Sequence, residues 1–194
     1  MKGRLRSIQT GTVRPLRVGD RKLMSAIGKT PVPQATAGPL GLEGDEQADF
    51  SVHGGMEKAV YAYPSEHYSF WNELLKREVH RANPIGHGYL GENLTVEGFN
   101  EAEVWVGDIW LIGEVELQVV KLREPCFKFN ARMAYKGSAK AMIQSAKSGW
   151  YLQVNTPGTI KAGDQIEVKP GRREVSIENQ NAFLLRKEQQ KELF

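Results

Sequence analysis

The chain carries a single cysteine, Cys126. One thiol cannot close an internal disulfide, so oxidative stapling is excluded as a source of stability. Long apolar runs are missing as well. No segment approaches the length of a membrane span, and no apolar stretch follows the basic start Met1-Lys2-Gly3-Arg4-Leu5-Arg6. These absences lead to the expectation of a cytoplasmic protein with no membrane partner. Charge of one sign is scarce too: 26 basic against 23 acidic residues leave a formal net charge of +3, with the two signs interleaved. A dedicated nucleic-acid binder concentrates its basic residues on one face, so no nucleic-acid partner is expected, whereas a small anionic ligand is compatible. Walker loops, dinucleotide fingerprints, paired-cysteine zinc sites and G-x-S-x-G elbows are all absent. So are flavin and iron–sulfur motifs, and any electrons must therefore come from outside the chain.

What is present is ordinary globular material. The 194 residues, 40% hydrophobic and 25% charged, suffice for one domain with a buried core. Three segments share a turn signature in which Gly-Asp adjoins alternating apolar residues: Val18-Gly19-Asp20, Val106-Gly107-Asp108 before Ile109 to Ile112, and Ala162-Gly163-Asp164 before Ile166 and Val168. Val115, Leu117 and Val119 alternate after Gly113, and Leu152, Val154 and Ile160 add short strand candidates. Many short strands with regular turns predict a sandwich or barrel. The Pro- and Gly-rich stretch from Gly28 to Gly44 reads as a long ordered loop. Helices are expected after Pro64, where Tyr68, Trp71 and Leu75 recur at helical spacing, and over Ser138–Ser148, with Ser138 as N-cap and Gly149 as stop. A weaker helix runs from Ser176 onward, its Ile177, Phe183 and Leu184 stripe suited to docking on the body or on a second subunit, so a homodimer is one expected assembly. The organisation expected is a body over residues 1–170 and a short helical tail over 171–194.

Three constellations bear on chemistry. Gly41 to Asp49, followed by Val52-His53-Gly54-Gly55, combines backbone that approaches ligands closely with carboxylates at Asp45, Glu46 and Asp49 and a titratable histidine. Its spacing matches no standard zinc or calcium loop, and a structural turn explains it equally well. In Gly91-Glu92-Asn93-Leu94-Thr95, Asn93 reads first as a turn residue. In Arg123-Glu124-Pro125-Cys126-Phe127-Lys128-Phe129-Asn130, ending in Arg132, three cations would favour a thiolate and an anionic cofactor if they come close to Cys126. Local composition alone leaves Cys126 as an ordinary buried cysteine. A thiol hydrolase pairing Cys126 with His53 is a further reading, weakened because the usual nucleophile context, a helix N-terminus after a Gly-rich turn, is not apparent.

Taken in order, Gly41 to Asp49, Val52-His53-Gly54-Gly55, Lys58-Ala59, Tyr63-Pro64, Glu66-His67-Tyr68, Trp71, Gly91-Glu92-Asn93-Leu94, Val106-Gly107-Asp108, Pro125-Cys126, Gly149-Trp150 and Pro157-Gly158 closely resemble the signature of MOSC-domain proteins. These are related to the C-terminal domain of molybdenum cofactor sulfurase, and the match is to their YiiM-like branch, over about residues 25 to 168. The resemblance implies a mainly β protein: a closed or nearly closed twisted β-barrel with two or three peripheral helices. It also implies binding of molybdenum cofactor (molybdopterin), a pterin dithiolene carrying a phosphate.

In such proteins the cysteine matching Cys126 is the metal ligand. Arg123, Lys128 and Arg132 would neutralise anionic groups, and Ser25 and Lys29 resemble a segment that holds the pterin phosphate. Asp45, Gly54 and Gly55 fall in the matched cofactor-binding loop. His53 and Asn93 would lie near the metal as polar contacts or proton donors. The implied activity is molybdenum-dependent reduction of N-hydroxylated compounds, such as hydroxylaminopurine-type bases, with an external electron-donor protein as partner. A non-catalytic cofactor or sulfur carrier is the alternative. The resemblance departs at the C-terminal end, where only about one helix follows Pro170.

Overall fold

The computed structural model describes residues 2–48 and 54–191. The chain opens with β1 (Lys2–Thr10), then a hairpin of β2 (Arg14–Val18) and β3 (Arg21–Ser25) turned by Gly19-Asp20. Three short strands follow: β4 (Thr30–Val32), β5 (Gln34–Gly38) and β6 (Gly41–Leu42). The stretch read as a loop from Gly28 to Gly44 is therefore largely strand. Its prolines are tolerated because β4, which carries Pro31, is the outermost strand of its sheet, and the other two prolines sit between strands.

Next come β7 (Val60–Pro64), α1 (Tyr68–Val79), β8 (Leu94–Glu97), β9 (Ile109–Ile112) and β10 (Val115–Leu122). The last third holds α2 (Phe127–Met133), α3 (Ser138–Ser145), β11 (Trp150–Thr156), β12 (Gly158–Lys161), β13 (Gln165–Lys169) and α4 (Ile177–Lys191). The largest sheet runs β13-β9-β10-β11-β7-β8-β1-β4, and β13 also pairs with β1 through Lys2↔Glu167, Gly3↔Ile166 and Arg4↔Gln165. Seven strands thus close into a barrel, antiparallel throughout except for the parallel pair β7–β8. Closure removes the exposed edges that an open sheet would leave.

Period-2 patterning fills the barrel. Val115, Leu117 and Val119 of β10 point inward beside Leu5, Ile8, Val96, Trp110, Trp150 and Leu152, all buried. Each such side chain contributes roughly 1.5–3 kcal/mol relative to exposure. Strand β7 is buried along its whole length because both faces are covered. Val60 and Ala62 face the barrel core, while Tyr61 and Tyr63 enter a second cluster with Trp71 and Leu75 of α1, Phe129 and Met133 of α2, and Met142 of α3. That second cluster ties the helices to the outside of the barrel and holds one end of the cleft described below.

Among the described residues, four α-helices surround the barrel. The one not expected is α2. Pro125 ends the preceding strand path, Cys126 is extended at φ −124° and ψ 171°, and the helix begins at Phe127. Its apolar period, Phe129 and Met133, is only one i,i+4 pair, too short to stand out in sequence. The expectation that no helix N-terminus adjoins the thiol is thereby corrected. Two details of α3 also differ. Its N-cap is Gly137, with Ser138 fully buried inside the first turn, and the helix ends at Ser145 with Ala146 in a left-handed conformation. For α4, Ser176 and Asn179 cap one another's backbone N–H groups, and Gln180 Oε1 accepts from Leu122 N at 2.7 Å. Ile177 is buried and Leu184 packs on the core, but Phe183 is 71% exposed.

Candidate functional site

The end of β10, the start of α2, β11, β7 and the segments 25–29, 45–48 and 90–93 converge on an open cleft. Tyr61 and Tyr151 stand directly opposite each other in the β7–β11 ladder, their ring centroids 5.5 Å apart. Arg123 follows β10, anchored by its N–H on Gly149 O at 3.2 Å. Gly149 occupies φ +63°, and a Cβ there would lie 2.4 Å from Ala62 O, so only glycine lets the two strands close at this point.

Arg123 is 5% exposed. Its guanidinium lies 5.5 Å over the Tyr61 ring and 4.7 Å over Phe129, and it donates to Met142 Sδ at 3.4 Å. No carboxylate among the described residues forms an ion pair with it. Burial disfavours its charge, but Tyr61, Tyr151 and Cys126 outweigh burial and hold its pKa above the ordinary value. Burial also raises both tyrosines, with Arg123 opposing the shift. Cys126 shares this cleft and is partly exposed. Lys58 and Lys128 complete the cationic wall, Lys128 donating to Met24 O at 3.2 Å. A buried cation with no described acid beside it, at an open cleft, favours an anionic ligand.

The opposite wall is a locked polar network. Asp45 Oδ1 accepts from Gly11 N at 2.8 Å and from Lys29 Nζ, and its Oδ2 accepts from Asn93 Nδ2 at 2.8 Å. Asp45 and Lys29 side chains are 5% and 7% exposed. Asn93 further accepts from Tyr61 N at 3.0 Å and donates to Gln9 O at 3.3 Å. Asn93 is accordingly a buried strap between β7, β1 and the Asp45 segment, more than the turn residue its neighbours suggest. Glu46 also lines the cleft, but its carboxylate accepts from Val13 N.

Of the residues expected at a site, the cleft brings together Ser25, Lys29, Asp45, Asn93, Arg123, Cys126 and Lys128. Gly54 and Gly55 fall outside its lining, though Gly55 N donates at 3.2 Å to Gln47, which lines it. Arg132 also stands off the cleft, stacked 4.0 Å over Tyr89 and donating to Tyr89 O at 3.1 Å. His53 and Asp49 lie outside the described residues. Among the described residues, no cluster of three or more His, Cys, Asp or Glu could hold a metal ion. Lys58, Tyr61 and Tyr151 were given no role by sequence reasoning. Lys58 belonged to a recognised motif, but the Tyr61–Tyr151 pair exists only through strands distant in sequence.

The architecture is a closed seven-stranded β-barrel with a thiol and a buried arginine lining one cleft. The chain belongs to the MOSC domain family, whose model matches residues 49–167. It is 36% identical over 144 residues to protein YiiM of Escherichia coli, covering 74% of this chain and 63% of that one. A protein of Gibberella moniliformis named as a reductase is 34% identical over 172 residues, covering 86% of this chain but 29% of its own. The crystal structure of YiiM from Geobacillus stearothermophilus superposes with a TM-score of 0.75 at 30% identity, covering 95% of this chain and 85% of that one. The family is associated with molybdenum cofactor, and no helix among the described residues is long and apolar enough to cross a membrane.

Proposed function

We propose that the protein binds molybdenum cofactor through Cys126 and reduces N-hydroxylated compounds, such as hydroxylaminopurine-type bases, to the corresponding amines. The observation that carries this reading is the partly exposed thiol in one cleft with Arg123, a buried cation that no described carboxylate neutralises. This donor set suits an anionic pterin dithiolene: a soft thiolate for molybdenum and fixed positive charge for the anionic groups. When bound, the cofactor supplies two-electron oxygen-atom chemistry at the metal. The similarity to a protein named as a reductase supports a redox role.

The chain's own residues then have distinct tasks. Cys126 is the protein ligand. Arg123 and Lys128 offset negative charge on the cofactor, and Tyr61 and Tyr151 keep water from the Arg123 guanidinium. Asp45, paired to Lys29 and strapped by Asn93, fixes the far wall, so Lys29 presents little net charge of its own to a ligand. The overall change, R–NH–OH plus two electrons and two protons to R–NH2 plus water, needs a proton source, and His53 is the proposed donor.

The test is purification under anaerobic conditions from a host that makes the cofactor, with molybdenum measured per chain. Wild type is expected to retain the metal and Cys126→Ser to lose it. Turnover of 6-hydroxylaminopurine with reduced methyl viologen as donor then separates reductase from carrier. Metal retained without turnover identifies a carrier, and equal metal in wild type and Cys126→Ser defeats the cofactor assignment.

A further inference from the structure

Strands β2 and β3 form a two-stranded sheet of their own, beside the cleft. Ser25, the last residue of β3, lines the cleft, and the preceding Met24 carbonyl accepts from Lys128 of α2 at 3.2 Å. Residues directly opposite in an antiparallel ladder share a face. One face of this hairpin therefore carries Arg14, Leu16, Val18, Arg21, Leu23 and Ser25, with the leucines and Val18 half-buried and Ser25 buried against the body. The outward face carries Pro15 opposite Met24 and Arg17 opposite Lys22, all four exposed.

That outward face is unfavourable by itself. Arg17 and Lys22 are like charges in direct cross-strand register, a destabilising arrangement. No acid among the described residues forms an ion pair with either, and Arg17 Nε donates only to Gly19 O at 3.1 Å. Over residues 14–25 the chain has four basic residues and one acid, Asp20. Two exposed apolar residues adjoin residues that line the cleft: Met24, 52% exposed, precedes Ser25, and Phe127, 57% exposed, follows Cys126. Exposed apolar side chains together with cations suit a protein interface; a phosphate backbone would use the cations and leave Met24 and Phe127 in water.

We propose that the outward face of the β2–β3 hairpin, with Phe127, docks the acidic surface of an electron-donor protein. This rests on the reductase reading above. That reading requires two electrons per substrate, and the chain has no flavin or iron–sulfur motif to supply them. The donor is oxidised by two electrons, which with two protons convert R–NH–OH to R–NH2 and water. Charge complementarity selects the partner, because negative charge laid against Arg17 and Lys22 relieves their repulsion. Docking there brings the donor to the mouth of the cleft that holds Cys126.

The experiment measures binding first and turnover second. An acidic plant-type ferredoxin and an acidic flavodoxin serve as probes for the metal-loaded protein, titrated at low and at physiological salt. Wild type is expected to bind at least one probe, with affinity falling as salt rises. The variant Arg17→Glu/Lys22→Glu is expected to weaken that binding about tenfold or more. The same variant should keep wild-type turnover with methyl viologen and lose it with the protein donor. Three results overturn the docking site: no binding of either probe at low salt, unchanged binding in the variant, or preference for duplex DNA over both probes. Absence of methyl viologen turnover in wild type is a separate outcome. It defeats the reductase reading while the binding measurement still judges the surface.

Discussion

Asn93 Nδ2 donates to Asp45 Oδ2 at 2.8 Å, while its Oδ1 accepts from Tyr61 N at 3.0 Å. One amide thereby joins the two walls of the cleft: the carboxylate that holds Lys29 and the strand that presents Tyr61. Asn93→Ala leaves the buried Tyr61 N–H without its acceptor, a loss of about 1–3 kcal/mol. Chemical denaturation should register that loss. Molybdenum retention should also fall in protein that is still folded, because both walls shift together.

Arg123 tests the trade between stability and binding. No described carboxylate forms an ion pair with Arg123, and its neighbours Phe129 and Met142 are apolar, so a buried apolar side chain fits the same space. Arg123→Met is expected to leave the apo protein as stable or more stable, by about 1 kcal/mol, while lowering metal retention severalfold. Thermal melting and metal analysis of the same preparations check both halves. Marked destabilisation without loss of metal would assign Arg123 a structural role only.

Glu92 provides a pH signature. It is fully buried; burial raises its carboxyl above the usual value of 4.5, and the Tyr68 hydroxyl, the Gly88 N–H and the Thr95 hydroxyl oppose that shift. The folded state thus holds this proton more tightly than the unfolded chain. Its contribution is complete below the ordinary carboxyl range and is lost as pH rises through the raised folded value. All three hydrogen bonds fall on Oε1, and Oε2 has no partner, so Glu92→Gln can keep the bonds without a charge to bury. Melting temperatures of variant and wild type should agree near pH 4 and separate in favour of the variant as pH rises. One kcal/mol corresponds to about 2–4 °C in a chain of this size.

Gly149→Ala addresses the backbone. The added Cβ would meet Ala62 O at 2.4 Å and the Tyr61 and Tyr63 rings at 2.9 Å, at φ +63°. Overpacking and a left-handed alanine together should destabilise by about 2–4 kcal/mol. Because Gly149 O receives the Arg123 N–H, the altered Arg123 position should also reduce metal retention in the folded fraction.

Much of the barrel was legible in the residues themselves. Period-2 alternation marked Val115, Leu117 and Val119 as an inward face, and the Gly-Asp turns marked where strands begin, because these patterns answer to neighbours within a few residues. Helix α2 escaped notice because seven residues offer only one apolar i,i+4 pair, and Gly28–Gly44 escaped because proline at an outer strand looks like proline in a loop.

For the site, residue order set Cys126, Asn93, Asp45 and Lys29 together as an expectation, and all four line one cleft. Only the tertiary structure decided how they are used. It paired Lys29 with Asp45, turned Arg132 onto Tyr89, set Tyr151 opposite Tyr61, and left Arg123 as the buried cation facing the thiol's cleft. The reason is physical: charge neutralisation and burial depend on which groups meet across closed strands, and barrel closure brings together residues whose separation in sequence says nothing of that meeting.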